Sequence, residues 1–142
     1  MSNIYAIDSL QSFKRIIERD TPVIVFFYVL KWSTPCEKIT PAYIALSDMP
    51  EYNSWLCFCK VDCESQPDIA SIHGPYPIHL APTFILYRKG VELGRVVGSN
   101  KGPLRELLNK YAPPNRTGSS SYQYTNTSSS NGGRSAPTYG WN

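Results

Sequence analysis

The sequence predicts an α/β domain built on a central mixed β-sheet that is flanked by helices. Residues 23–29 are apolar throughout, which is typical of a strand that helices bury on both faces. The turn Arg88-Lys89-Gly90 separates two further strand patterns and predicts an antiparallel hairpin. Helical patterns separate the earlier strands. A parallel β-α-β half followed by a hairpin is therefore expected.

The first half of the chain predicts three elements before the central turn. A short edge strand is expected at Tyr5–Ile7, and a helix follows it. Asp8 is the predicted cap of that helix, with Gln11 three residues on as in a capping box. The helix is expected to end before Pro22, because the residue before a proline disfavours helical geometry. The buried strand 23–29 comes next.

The remaining elements complete the order β-α-β-α-β-α-β-β-α. The second helix is expected to begin with Thr34 as its cap and to contain Pro41, which should kink it. Its predicted apolar face consists of Ile39, Ala42, Leu46 and Met49. The later predictions are a strand at 55–61, a short helix at 67–72, a loop at 74–77, strands at 83–87 and 91–97, and a helix at 102–111.

Composition limits the classes of function. Of the 14 Lys and Arg residues, Arg116 and Arg134 follow Tyr111, whereas none of the 11 Asp and Glu residues does. The remainder is nearly neutral, so we expect no nucleic-acid surface. We see no membrane-length apolar run and no secretory signal, and we expect a cytoplasmic monomer with no membrane partner and no cofactor. Four cysteines are then expected to be thiols.

A change in composition marks the predicted domain boundary. Residues 1–112 carry the periodic apolar patterns, and residues 113–142 are rich in Ser, Asn, Gly, Thr and Tyr without an aliphatic run. Such a segment buries too little surface to offset its ordering entropy, and we expect a disordered tail. Its interspersed tyrosines leave two roles open, a solubilising tail and a specific binding segment.

The central turn is the stretch Lys31-Trp32-Ser33-Thr34-Pro35-Cys36, between the buried strand and the second helix. Strand, turn and helix place Ser33 and Cys36 at a helix N-terminus, where backbone N–H groups and the helix dipole favour negative charge. A thiol in that position is readily ionised. Cys36 is therefore the candidate reactive residue.

The chain resembles the thioredoxin family over residues 4–111. Trp32, Pro35 and Cys36 match the active-site motif Trp-Cys-x-Pro-Cys, and Pro41 matches the helix proline. Residues 60–62, 68–70 and 81–86 resemble further family segments. The resemblance implies the thioredoxin fold, a cis Pro82 facing the active-site turn, and a polypeptide groove. The predicted groove residues are Trp32, Ser33, Thr34, Pro35, Ala81, Pro82 and Thr83.

Three departures from the family pattern concern its chemistry. Ser33 stands where the family has its nucleophilic cysteine, and Phe27 stands where the family usually has a buried acid. The segment 74–77, Gly-Pro-Tyr-Pro, lengthens the chain before the cis-proline loop. Because thiol–disulfide exchange requires an attacking thiolate, Ser33 should remove ordinary dithiol activity.

Two functional hypotheses follow from the resemblance. The first is a redox-impaired polypeptide-binding or regulatory module. The second is a one-cysteine oxidoreductase in which Cys36 works with glutathione or a partner thiol, with thioredoxin reductase as a further candidate partner. Cys36 is alternatively a packing residue, or half of a disulfide with Cys63. Zinc binding by Cys57, Cys59 and Cys63 does not fit the usual ligand spacing, so no metal is expected.

Overall fold

The computed structural model describes residues 3–29, 34–70, 76 and 78–114 of the 142-residue chain. Its elements are β1 (Ile4–Ala6), α1 (Leu10–Ile17), β2 (Val23–Tyr28), α2 (Thr34–Ser47), α3 (Pro50–Asn53), β3 (Cys57–Asp62), α4 (Pro67–Ala70), β4 (Thr83–Arg88), β5 (Val91–Val97) and α5 (Lys101–Tyr111).

The five strands form one mixed sheet in the order β1-β3-β2-β4-β5. β1 and β2 both run parallel to β3, whereas β4 is antiparallel to β2 and to β5. Lys89 and Gly90 in the β4–β5 turn have φ values of 54° and 80°, as a tight hairpin turn requires. The predicted mixed sheet, its parallel half and its hairpin are confirmed.

Strand β2 divides the core into two layers. Its residues Val23, Val25 and Phe27 join the cluster under α1 and α4, while Ile24 and Phe26 join the cluster under α2 and α5. Successive side chains in a strand point to opposite faces, so a strand covered on both sides needs apolar residues at every position. This explains the unbroken apolar run of the sequence.

The structure corrects the predicted cap of α1. Ser9 is the N-cap, in extended geometry, and its side-chain oxygen accepts a hydrogen bond from the Ser12 N–H at 3.0 Å. The predicted cap, Asp8, is exposed and precedes it. The helix also ends earlier than expected, at Ile17 with Glu18 as its C-cap. Asp8 was a wrong choice because Ser and Asp are equally good caps and stand side by side.

Other boundaries differ by small amounts. Thr34 is the first residue of α2 rather than the cap before it, and the short helix α3 was not predicted. β1 begins one residue earlier and β3 two residues later than expected, while β5 matches its predicted bounds. The loop 74–77 lies outside the described residues apart from Tyr76, as does the tail beyond Pro114.

Tyr43 is the largest omission from the predicted face of α2. Its side chain is 0% exposed, whereas Ala42 and Met49 are only partly buried. The hydroxyl lies 2.7 Å from the Cys59 carbonyl oxygen and 3.1 Å from that of Ile24, so it joins α2 to β3 and β2. A buried tyrosine hydroxyl needs such a partner, and both come from elements distant in sequence.

Candidate functional site

The predicted active-site turn joins the end of β2 to the start of α2. Two of its candidate residues, Trp32 and Ser33, lie outside the described residues. Thr34 and Pro35 form the exposed first turn of α2, and Pro41 lies within the same helix as expected. The backbone before and after the turn is therefore defined, and the roles predicted for Trp32 and Ser33 stay predictions.

Cys36 lies in the first turn of α2 with its side chain 0% exposed. The backbone N–H of Val29 donates to its Sγ over an N···S distance of 3.5 Å. The Thr40 hydroxyl donates to the Cys36 carbonyl oxygen at 2.7 Å. The sulfur is thus held against the end of β2, at the helix N-terminus that the sequence predicted.

The Ala81–Pro82 peptide bond is cis, as the resemblance implied. The Pro82 carbonyl accepts a hydrogen bond from the Gly98 N–H at 2.9 Å, which ties the loop to the end of β5. The Thr83 hydroxyl donates to the Leu80 carbonyl and closes the loop from inside. Pro82 and Thr83 are buried and Ala81 is half-buried, so the loop is anchored to the sheet.

Sheet register brings this loop and the turn to the same end of the molecule. Phe27, near the end of β2, is paired with Thr83 at the start of β4. Because the two strands are antiparallel, the chain leaves β2 toward the turn where it enters β4 from the cis-proline loop. Two apolar side chains are exposed beside this junction, Leu80 at 65% and Val97 at 50%. Neither was singled out from the sequence.

Cys63 approaches the same junction from the end of β3. Its backbone N–H donates to the Tyr28 carbonyl oxygen at 2.9 Å, next to the Val29 N–H that contacts Cys36. Burial, followed by the Asp62 charge and the Cys36 sulfur, raises the pKa of the Cys63 thiol to about 12. All four cysteines are thiols, so the hypothetical Cys36–Cys63 disulfide is not present.

A phenyl ring occupies the position where the family usually has its buried acid. Phe27 is 0% exposed and belongs to the apolar cluster under α1. Its ring packs edge-to-face on Phe13, with 6.1 Å between the ring centroids. This environment is apolar, and a charged carboxylate in it would meet a large desolvation cost. The surrounding apolar side chains therefore fit a phenyl ring at this position.

Neither a metal site nor a membrane-spanning helix is found among the residues that the structure describes. There, no group of three or more His, Cys, Asp or Glu side chains is placed to hold a metal ion. In the same residues, no helix is long and apolar enough to cross a membrane.

Comparison with known proteins agrees with this geometry. The family model for thioredoxin matches residues 5–110. The mitochondrial thioredoxin-2 of Schizosaccharomyces pombe is 33% identical over 111 residues, 78% of each chain. The putative thioredoxin-5 of Dictyostelium discoideum is 36% identical over 95 residues, which are 65% of this chain and 84% of the relative.

A solved structure gives the same result at the level of the fold. The thioredoxin of Malassezia sympodialis superposes with a TM-score of 0.71 at 28% identity, over 80% of this chain and 94% of that one. The region that the family model matches contains the turn, the cis-proline loop and all of the mixed sheet except Ile4. The chain belongs to the thioredoxin family of redox proteins.

Proposed function

We propose that the protein is a polypeptide-binding or regulatory member of the thioredoxin family that does not complete dithiol exchange. The observation that carries the proposal is Ser33, in the position of the attacking cysteine, with Cys36 three residues later. The thiolate is the nucleophile in disulfide exchange, and a serine hydroxyl forms neither a thiolate nor a mixed disulfide. A polypeptide disulfide bound at this turn would therefore stay intact.

Two properties of the core support the same conclusion. Phe27 supplies no proton acceptor where the family's acid usually assists the second cysteine. Cys36 is 0% exposed, so its sulfur does not face an incoming protein disulfide. Both steps of the exchange are thus impaired. Ser33 cannot attack the disulfide, and Phe27 cannot accept a proton from Cys36.

The surface beside the turn keeps exposed residues that could bind a polypeptide, although the chain lacks the attacking cysteine. Thr34 and Pro35 are exposed on one side of the junction, and Leu80 and Val97 expose apolar area on the other. Ala81, Pro82 and Thr83 form the anchored loop beneath that area. An extended polypeptide with an apolar side chain fits such a surface, because burial of apolar area supplies the affinity.

A binding measurement tests this function. A carboxymethylated, permanently unfolded polypeptide carrying a fluorophore would be titrated with the full chain and followed by anisotropy. Loss of a buried leucine side chain costs about 1.5–3 kcal/mol, so we expect Leu80→Gln to weaken binding by roughly tenfold or more. Val91→Gln is the matched control, because Val91 is 58% exposed but lies at the far end of β5.

The same titration can contradict the proposal in two ways. Equal weakening by Leu80→Gln and Val91→Gln would mean that binding is unspecific apolar association. Absence of binding to the unaltered chain would remove the polypeptide-binding function altogether. Circular dichroism of each variant separates these outcomes from a loss of folding.

The alternative is a one-cysteine oxidoreductase that uses Cys36 with glutathione or a partner thiol. It is favoured by the retained thiol in the first turn of α2 and by the N–H that Val29 directs at its sulfur. Iodoacetamide labelling of the folded chain, followed by peptide mapping, distinguishes the two. We expect Cys36 to stay unlabelled until the chain is unfolded, and rapid labelling in the folded state would favour the alternative.

Several further properties belong to the same proposal. Protein substrates at the groove, thioredoxin reductase or glutathione as partners, and a monomeric state are proposed on the family resemblance. A cytoplasmic location also stays a prediction, since one of the relatives named above is mitochondrial. The boundary between a domain at 1–112 and a tail at 113–142 is likewise a proposal, testable by limited proteolysis.

A further inference from the structure

A cleft of about 480 Å³ lies between the edge of the sheet and α1, away from the active-site turn. Its lining residues come from β1, β3 and the α1 region: Tyr5, Ser12, Arg15, Ile16, Arg19 and Cys57. Cys57 is paired with Val23 at the start of the parallel β2 strand, whereas the turn follows the end of that strand. Five residues of strand put about 16 Å between the two sites.

Two thiols lie side by side next to this cleft, and one of them lines it. Cys57 and Cys59 occupy alternate positions of β3, so their side chains share one face, and their Sγ atoms are 3.8 Å apart. Cys59 is 0% exposed, while Cys57 is only partly buried and reaches the cleft. Charge is better solvated on the more exposed sulfur, so Cys59 donates its S–H and Cys57 is the acceptor.

The surroundings of Cys57 favour its thiolate. The S–H of Cys59 and, more weakly, the guanidinium of Arg19 lower the pKa of Cys57 below its usual value, although burial opposes them. The hydrogen bond to Cys57, followed by burial, raises the pKa of Cys59 strongly. Arg15 from α1 and Tyr5 from β1 also line the cleft, and Tyr43 lies behind the sheet. The described lining contains no carboxylate.

The two arginines give the cleft a preference for anions. Neither Arg15 nor Arg19 forms an ion pair with another described residue. Guanidinium groups bind carboxylates in a bidentate geometry, so both are available to a ligand that carries carboxylates.

We propose that this cleft is a second thiol site, in which Cys57 forms a mixed disulfide with a small anionic disulfide such as glutathione disulfide. The Cys57 thiolate attacks one sulfur of the ligand, a new S–S bond forms to Cys57, and the other half leaves as glutathione thiolate. The ligand is thereby the oxidant. Arg15 and Arg19 bind the carboxylates of the ligand while the Cys57 sulfur attacks its disulfide.

The neighbouring Cys59 thiol can react further with the mixed disulfide on Cys57. Cys59 can displace glutathione from Cys57 and leave an intrachain disulfide, with the second glutathione departing as a thiol. Alternate residues in a strand have Cα atoms about 6.6 Å apart, near the upper limit for a disulfide. We therefore expect the mixed disulfide to be the main product. This site does not use the active-site turn, so the proposal can be tested independently of the proposed function.

The test treats the full chain with glutathione disulfide and locates the products by peptide mass mapping. We expect modification at Cys57, either as the adduct or as the disulfide with Cys59, ahead of Cys36 and Cys63. The burial of Cys36 and the raised pKa of Cys63 oppose reaction at those two sulfurs. The rate should rise with pH as the Cys57 thiolate forms, with a midpoint below the usual thiol pKa of about 8.5. First modification at Cys36 or Cys63, or none at Cys57, would overturn the proposal.

A charge-reversed probe tests the role of the arginines. The ratio of the rates with glutathione disulfide and with cystamine, a cationic disulfide, does not depend on the thiolate fraction of Cys57. We expect Arg19→Gln to lower that ratio roughly two- to fivefold, as one partly screened charge contact allows. Lys14→Gln in α1 is the control, because Lys14 does not line the cleft. Equal ratios in the two variants would contradict anion recognition by Arg19.

Discussion

The hydroxyl of Tyr43 provides the most direct test of how the sheet and α2 are joined. It is buried completely and lies 2.7 Å and 3.1 Å from the carbonyl oxygens of Cys59 and Ile24. Tyr43→Phe keeps the ring, which contacts Phe26 and Phe58 edge-to-face. It removes only the hydroxyl, with its contacts to the two carbonyl oxygens. Loss of one buried hydrogen bond with an acceptor left behind costs about 1.5 kcal/mol. For about 110 folded residues, that lowers the melting temperature by about 6 °C.

The assay is thermal unfolding of both chains at neutral pH, with Tyr111→Phe as the control. The Tyr111 hydroxyl donates to the Leu93 carbonyl at 3.0 Å, but the residue is only partly buried and water can replace the bond. Burial raises the pKa of Tyr43 well above its ordinary value, so its stabilising contribution is complete below pH 10 and declines above it. Equal effects of Tyr43→Phe and Tyr111→Phe at neutral pH would refute the reasoning.

Three further changes have defined outcomes. Ser9→Ala should lower the free energy of unfolding in urea by about 1 kcal/mol, whereas Asp8→Ala should have little effect, because only Ser9 accepts the Ser12 N–H. Phe84→Ala should cost about 3–5 kcal/mol by the same measurement, since the ring is 0% exposed and stacks on another aromatic ring at 4.7 Å; a cost under 1 kcal/mol would contradict that burial. The Cys63 thiol stays protonated in the folded state up to about pH 12, whereas in the unfolded chain it ionises near pH 9. The free energy of unfolding should therefore fall as pH rises above about 9, and Cys63→Ser should lessen that fall. An unchanged pH profile of stability in Cys63→Ser would contradict this prediction.

Periodic patterns predicted the elements of this fold well where the burial was regular. The unbroken apolar run of β2 indicated two covered faces, and the structure has a cluster on each side of that strand. The bounds of β5 followed from the turn at Lys89 and Gly90, where the chain needs left-handed backbone. The cap of α1 was missed because two adjacent residues, Asp8 and Ser9, are both good caps and only the backbone geometry chooses between them.

Features that depend on distant contacts were less accessible from the sequence. Alternation along a strand is enough to place Cys57 and Cys59 on one face of β3, but the approach of Arg19 depends on how α1 lies across the sheet. The exposure of Leu80 beside the cis-proline loop depends on the loop backbone, which has no periodic signal. Local patterns therefore predicted the framework, and packing of distant elements determined the chemistry of the surface.

The central proposal is that Ser33 removes dithiol exchange from a chain that keeps the family's fold. The measurement that tests it most directly is reduction of a protein disulfide by dithiothreitol, with the unaltered chain and Ser33→Cys compared at equal concentration and Ser33→Ala as the control. The account predicts that the unaltered chain and Ser33→Ala stay at the uncatalysed rate and that Ser33→Cys raises it, to an extent limited by the apolar Phe27. Turnover by the unaltered chain at the rate of Ser33→Cys would contradict the account and assign the exchange to Cys36 or another of its cysteines.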